Sequence, residues 1–181
     1  MRSHHNAVVA AWIAAAITLT ATETTGAAEP LSIRIYDSLH NRAVTLASAR
    51  AVAGAILTDG GVPAVSWRDC SSGCADPVRG RELLVRIMRA PAGVPAGSLG
   101  CAVVDLRTGA GTLATIYGDR VRGVAARTGV AEATLLGRAI AHEIGHLLLG
   151  TSQHAASGLM RAQWSDRELR NNLAADWTFR N

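Results

Sequence analysis

The run His142-Glu143-Ile144-Gly145-His146-Leu147-Leu148-Leu149-Gly150, with His154 four residues further on, decides how the chain is read. Residues four apart on an α-helix stack on one face, so His142 and His146 can both present imidazole nitrogens to one metal ion while Glu143 stands beside them. Leu135, Leu136, Ala139, Ile140, Leu147 and Leu148 recur around these polar residues at spacings that bury much of the same helix. The metal face is therefore expected as a local break in a core helix that begins near Ala131. Gly150 is the residue type that commonly stops a helix in a left-handed conformation. Four extended residues cover up to about 13 Å, enough to return His154 to an ion held one turn before the helix end. Three of the six histidines thus fall within thirteen residues, whereas His4 and His5 lie at the N-terminus and His40 stands alone.

Ahead of that helix the chain alternates strand-like and helical patterns. Residues 31–36 set Leu31, Ile33 and Ile35 against Ser32, Arg34 and Tyr36 and read as a strand, and residues 43–57 are alanine-rich with helical spacing, ended by Asp59-Gly60-Gly61. Residues 62–67 and 82–88 read as two further strands, separated by a polar loop that holds Cys70 and Cys74. After the 91–97 loop, residues 101–106 and 112–117 are strand-like runs, and Arg107-Thr108-Gly109-Ala110-Gly111 suits a hairpin between them. Beyond His154, Ser165-Asp166-Arg167-Glu168 has the form of a capping box, and Leu169, Leu173 and Trp177 follow at four-residue spacing as the expected buried stripe of a C-terminal helix. The expectation is an α+β domain with no internal repeat.

The first residues read differently. Arg2, His4 and His5 precede an apolar stretch at 7–19, and Gly26-Ala27-Ala28 offers a cleavage site before Glu29, so 1–28 is expected to be a secretory signal peptide and 29–181 a single domain. The stretch is too short to span a bilayer comfortably, although an uncleaved N-terminal anchor is the alternative. Signal removal then leaves no stable membrane insertion and places the mature chain outside the cytoplasm, secreted or periplasmic. All eighteen basic residues are arginine, spread along the chain with a formal charge of +4, which argues against a nucleic-acid partner. In an oxidising compartment Cys70, Cys74 and Cys101 would give one disulfide and one free thiol, with all three pairings open.

The stretch from His142 to Met160 resembles the zinc site of the metzincin metallopeptidases, in which a helical histidine pair is followed by a glycine, a third histidine and a methionine turn. Ser157-Gly158-Leu159-Met160 is the candidate turn. The resemblance implies a mixed, mostly parallel sheet of about five strands with an N-terminal helix, an active-site helix and a C-terminal helix. It also implies Zn2+ on His142, His146 and His154, with Glu143 as general base in peptide hydrolysis and Met160 beneath the site. The chain departs from the family pattern: the glycine and third histidine usually stand seven and ten residues after the first histidine, where this chain has Leu149 and Ser152. Met160 follows His154 by only six residues, and no tyrosine follows it.

Other readings compete at particular residues. Glu168 is a rival third ligand, since another class of zinc peptidase takes a glutamate from a later helix, but its place in the capping box gives it a structural role. His40, Asp105 and Asp119 have no partner visible in the sequence. If residues 101–106 form a sheet edge beside the metal helix, an extended peptide can add to it as a further strand. The short gap between signal and first strand leaves no room for an inhibitory pro-segment, so control by a separate protein inhibitor is one expectation. The alternative function is a secreted binding protein that uses the same histidines for a structural metal and has no peptidase activity. A retained Glu143 argues against it, because a structural site needs ligands and no base. A cytosolic zinc peptidase with a misread N-terminus is a third reading.

Overall fold

The computed structural model describes residues 29–80 and 82–179, so the expected signal peptide at 1–28 lies outside the described residues. Strand β1 (Leu31–Asp37) alternates as its sequence requires, with Leu31, Ile33 and Ile35 buried in the core. Arg34, on the other face, is also buried. Its guanidinium holds Glu82 through two bonds of 2.6 Å, along with the Asp76 carboxylate and the carbonyls of Asp76 and Pro77. Helix α1 (Ala43–Asp59) turns Leu46, Ala49, Ala53 and Leu57 inward and stops at Gly60. Strands β2 (Val65–Asp69) and β3 (Glu82–Met88) flank β1 in parallel. Then β4 (Gly100–Asp105) and β5 (Ala110–Tyr117) form an antiparallel hairpin whose second strand pairs in parallel with β3. The sheet order is β2-β1-β3-β5-β4, mostly parallel, with β4 as one edge.

Helices α2 (Gly118–Thr128), α3 (Glu132–Leu149) and α4 (Asp166–Asn171) follow, and a 3-10 turn spans Ala174–Trp177. Helix α3 is buried without a break from Leu135 to Leu147. It crosses α1 closely because small residues meet there: a Cβ on Gly137 would stand 2.6 Å from the Ala49 carbonyl oxygen and 2.7 Å from Val52 Cβ. The other side of α3 packs on β4 and β5, so the helix that carries the histidine pair is wedged between sheet and α1.

Two differences from the sequence reading stand out, and one open question is answered. Helix α2 is new: residues 118–128, where Val121, Val124, Ala125 and Ala126 stand among arginines and two glycines, carry no element in the sequence reading. The expected C-terminal helix is cut short: Asn172 takes a left-handed φ of 51°, Leu173 is 59% exposed, and Trp177 reaches the core from the 3-10 turn. The stripe Leu169, Leu173, Trp177 is therefore not one helix face. Among the cysteines, Cys70 and Cys74 form the disulfide with Cα atoms 5.3 Å apart, and Cys101 is the free, exposed thiol. Among the described residues no helix is long and apolar enough to cross a membrane.

Two glycine replacements should move stability in opposite directions. Gly137→Ala forces α1 and α3 apart and is expected to cost about 1–3 kcal/mol. Gly123→Ala, where a Cβ on α2 meets nothing within 4 Å, should gain about 0.5–1 kcal/mol from helix propensity. Urea unfolding of the two variants beside the parent checks both signs.

Candidate metal centre

The i, i+4 spacing on α3 sets the rings of His142 and His146 with centroids 4.8 Å apart and their Nε2 atoms 3.1 Å apart. Their other nitrogens fix the tautomers. His142 Nδ1 lies 2.9 Å from the Leu159 carbonyl oxygen, and His146 Nδ1 lies 2.9 Å from that of Thr151. A carbonyl only accepts, so both Nδ1 atoms carry the hydrogen, and in neutral rings both Nε2 atoms present lone pairs. Burial keeps the rings neutral, pushing the His142 pKa down to about 4 and that of His146 in the same direction. Two lone pairs 3.1 Å apart repel unless a cation sits between them. Tetrahedral zinc with Zn–N near 2.0–2.1 Å wants its nitrogens about 3.3 Å apart, which is close to this separation.

His154 completes the set. Its ring centroid is 4.8 Å from that of His146 and 5.3 Å from that of His142, and the three ligand atoms lie within 4.8 Å of one another. Its return depends on Gly150, which takes φ 63° and donates its N–H to the His146 carbonyl. A Cβ there would also stand 2.6 Å from the Gly109 carbonyl oxygen, so the hairpin tip closes over the helix end. His142 and His146 are buried and braced from behind, whereas His154 is exposed on its loop. Three neutral imidazoles can hold a metal ion, and this donor type suits zinc, copper, nickel or iron.

Met160 is buried beneath the helix, its sulfur 2.7 Å from where a Cβ on Gly145 would stand. Glycine between the two histidines thus lets the turn that carries Met160 press against α3. The Leu159 carbonyl that braces His142 also accepts from Trp164 Nε1 at 3.1 Å, and the Trp164 ring meets His142 edge-on at 5.6 Å. Glu168 is committed elsewhere. Its Oε2 accepts from Ser165 N and Oγ at 2.8 and 2.7 Å, its N–H reaches Ser165 Oγ at 3.3 Å, and its Oε1 pairs with Arg161.

Glu143 is 6% exposed, and burial pushes its pKa up to about 8. Its carboxyl lies against the first residue of β4: a Cβ on Gly100 would stand 2.8 Å from Glu143 Oε1 and 2.7 Å from the Thr115 carbonyl oxygen. Only glycine fits between edge strand and carboxyl. A cleft of about 580 Å³ opens over these groups, walled by residues 95–102 on one side and 161–164 on the other. Val124, Ala139 and Leu169 add apolar surface to it. Of the residues without an assigned partner, Asp119 Oδ1 accepts the Ala90 N–H, Asp105 Oδ1 accepts the Arg107 N–H, and His40 is exposed with φ 50°. None of them joins the histidines. Trp164, Gly100 and the bracing carbonyls carried no sequence signal, because they act through contacts distant along the chain.

Without metal, the fold holds the Glu143 proton up to about pH 8, while the unfolded chain releases it near 4.5. Between those values the unfolded state binds fewer protons, so this group makes stability fall as pH rises. The depressed His142 acts oppositely, removing stability as pH falls from 6.5 to about 4. Glu143→Gln, with no proton to release, should exceed the parent in stability by a margin that grows from pH 5 to pH 8, reaching on the order of a few kcal/mol. Urea unfolding in the presence of chelator measures it; an equal margin at both pH values would show that burial does not hold the proton.

No protein-family model matches the chain, and no curated protein or solved structure matches it either.

Proposed function

We propose that the chain is a secreted, metzincin-like zinc metallopeptidase that hydrolyses peptide bonds, with His142, His146 and His154 as ligands and Glu143 as general base. The observation that carries this reading is the pair of Nε2 lone pairs 3.1 Å apart, both backed by carbonyl-bound Nδ1–H groups, with a buried carboxyl on the next residue. A structural site needs the ligands alone. A buried carboxyl beside them, facing a cleft, adds proton-transfer chemistry. The metzincin-like aspect is supported by the order of elements, by the antiparallel edge strand beside α3 and by Met160 packed against Gly145 of the histidine helix. The apolar stretch at 7–19 supports secretion.

His142, His146 and His154 would hold zinc, which when bound would supply a double positive charge that lowers the pKa of water and polarises a carbonyl. The chain's own residues do the rest. Among the described residues the edge strand β4 has no partner strand on its cleft side, so an extended peptide can lie along it through main-chain hydrogen bonds. Glu143 takes a proton from water as the water oxygen bonds to the scissile carbonyl carbon. It then delivers that proton to the amine nitrogen as the C–N bond breaks. Burial raises its proton affinity and a bound divalent ion would lower it, so the two act in opposite directions on a group that must serve first as base and then as acid. Leu159 and Thr151 keep the imidazoles in the ligating tautomer throughout.

The test is cleavage of a mixed peptide library by the zinc-loaded chain beside Glu143→Ala at matched metal content. The parent should cut, and the variant should lose about 10²–10⁴-fold in rate while keeping its zinc. His142→Ala and His146→Ala should lose the metal and the activity together. Silence from the parent with zinc bound would replace this reading with that of a metal-stabilised binding protein.

A further inference from the structure

The wall of the cleft opposite the histidines is made by a segment whose own backbone bonds are two turns, Val94 N on the Pro91 carbonyl at 3.5 Å and Ser98 N on the Pro95 carbonyl at 3.1 Å. It runs Ala90-Pro91-Ala92-Gly93-Val94-Pro95-Ala96-Gly97-Ser98-Leu99 between β3 and β4, and residues 95–99 line the cleft. Its prolines lack an N–H, and its alanines and glycines offer no polar side chain. Ser98 is the sole polar residue, with its hydroxyl on the Gly100 carbonyl at 2.7 Å. A segment of this composition left to itself samples many conformations. Here it reaches across to the opposite lip, where a Cβ on Gly97 would lie 3.8 Å from Gln163 Nε2.

One guanidinium gathers its carbonyls. Arg120 Nη2 donates to Val94 O at 2.8 Å, and Nη1 donates to Ser98 O at 3.1 Å and to Pro95 O. The same group lies over the Tyr117 ring, 5.6 Å from its centroid. Next to it, Asp119 takes the Ala90 N–H at 2.9 Å, so the first turn of α2 grips both ends of the segment. The chain then passes directly into the site: Leu99 O accepts from Tyr117 N at 2.8 Å, and Gly100 follows against Glu143.

We propose that Arg120 is a positioning residue that holds loop 90–99 as the wall of the cleft and thereby sets where an extended peptide lies relative to Glu143. The loop half stands on geometry alone; the peptide half rests on the peptidase reading. A planar fork of donors meets three carbonyls pointing from different places, which a lysine ammonium cannot match, so the identity of the residue matters and not only its charge.

The experiment compares the zinc-loaded full chain with Arg120→Ala and Arg120→Lys, reading zinc content, amide hydrogen exchange and kinetics on peptides of increasing length. In Arg120→Ala, exchange across 93–104 should rise about tenfold or more while 139–147 and the zinc content stay as in the parent. KM should rise about tenfold for peptides long enough to lie along β4, with kcat nearly unchanged, and Arg120→Lys should fall between. Unchanged exchange in the loop, or a loss of kcat with KM constant, would overturn the proposal. Should Arg120→Ala fail to fold, the Lys variant decides by the same loop readout. Should the parent cut no peptide, the peptidase reading fails, and exchange alone still settles whether Arg120 holds the wall.

Discussion

A helix buried on every side from Leu135 to Leu147 can offer ligands only through a gap in its own packing, and the rest of the structure is arranged around that gap. Two carbonyls define it. The Leu159 and Thr151 oxygens stand behind His142 and His146 and take their Nδ1 hydrogens, which turns both Nε2 atoms to one point. Both carbonyls lie beyond the helix, Thr151 just after the Gly150 stop and Leu159 on the turn above Met160. The segment after α3 therefore orients the ligands that α3 carries. Leaving such imidazoles without an ion sets two lone pairs face to face in a dry place, a cost that metal binding converts into stability.

Burial does two jobs that look opposed. It lowers the proton affinity of the histidines and raises that of the carboxyl one residue away. Each shift disfavours charge, so the two buried histidines and the carboxyl are held nearly uncharged at neutral pH without metal. A divalent ion reverses the balance, because a double positive charge favours the carboxylate beside it. The same dry surroundings that keep the two buried ligands neutral thus oppose the pull of the ion on the carboxyl proton.

Much of this was legible in the sequence because it is local. The histidine spacing, the Gly150 stop, the Ser165–Glu168 capping box and the alternation in β1 are each set by residues a few positions apart, and each appears where the pattern placed it. What escaped depends on contacts between distant parts. Helix α2 carries small apolar residues and no long apolar run, and it packs on α3 and pairs Arg127 with Asp166. Leu173 continued a helical period that Asn172 breaks with a left-handed backbone. Gly100 is needed by Glu143, forty-three positions on, and Arg120 by carbonyls more than twenty positions back. The Cys70–Cys74 pairing depends on how the loop after β2 folds, which spacing alone left open.

The unusual spacing of the third histidine bears on how far the resemblance to the metzincins can be carried. A ligand loop has one geometric duty, to bring a nitrogen back to a point fixed on the helix. From His146 to the last residue of α3 the axis advances only about 4.5 Å, and a left-handed residue reverses the chain at once. Four further residues exceed that distance several times over, so a loop one or two residues longer can still close. Here it does so with Thr151 N on the His146 carbonyl at one end and Ala155 N on the Met160 carbonyl at the other. The extra length falls in an exposed stretch that ends at His154 and leaves the buried pair untouched. Drift at the third ligand is the least costly departure for such a site, because only the two buried ligands are fixed from behind. An altered interval after Gly150 is therefore no argument against the metal, whereas the loss of either bracing carbonyl would be.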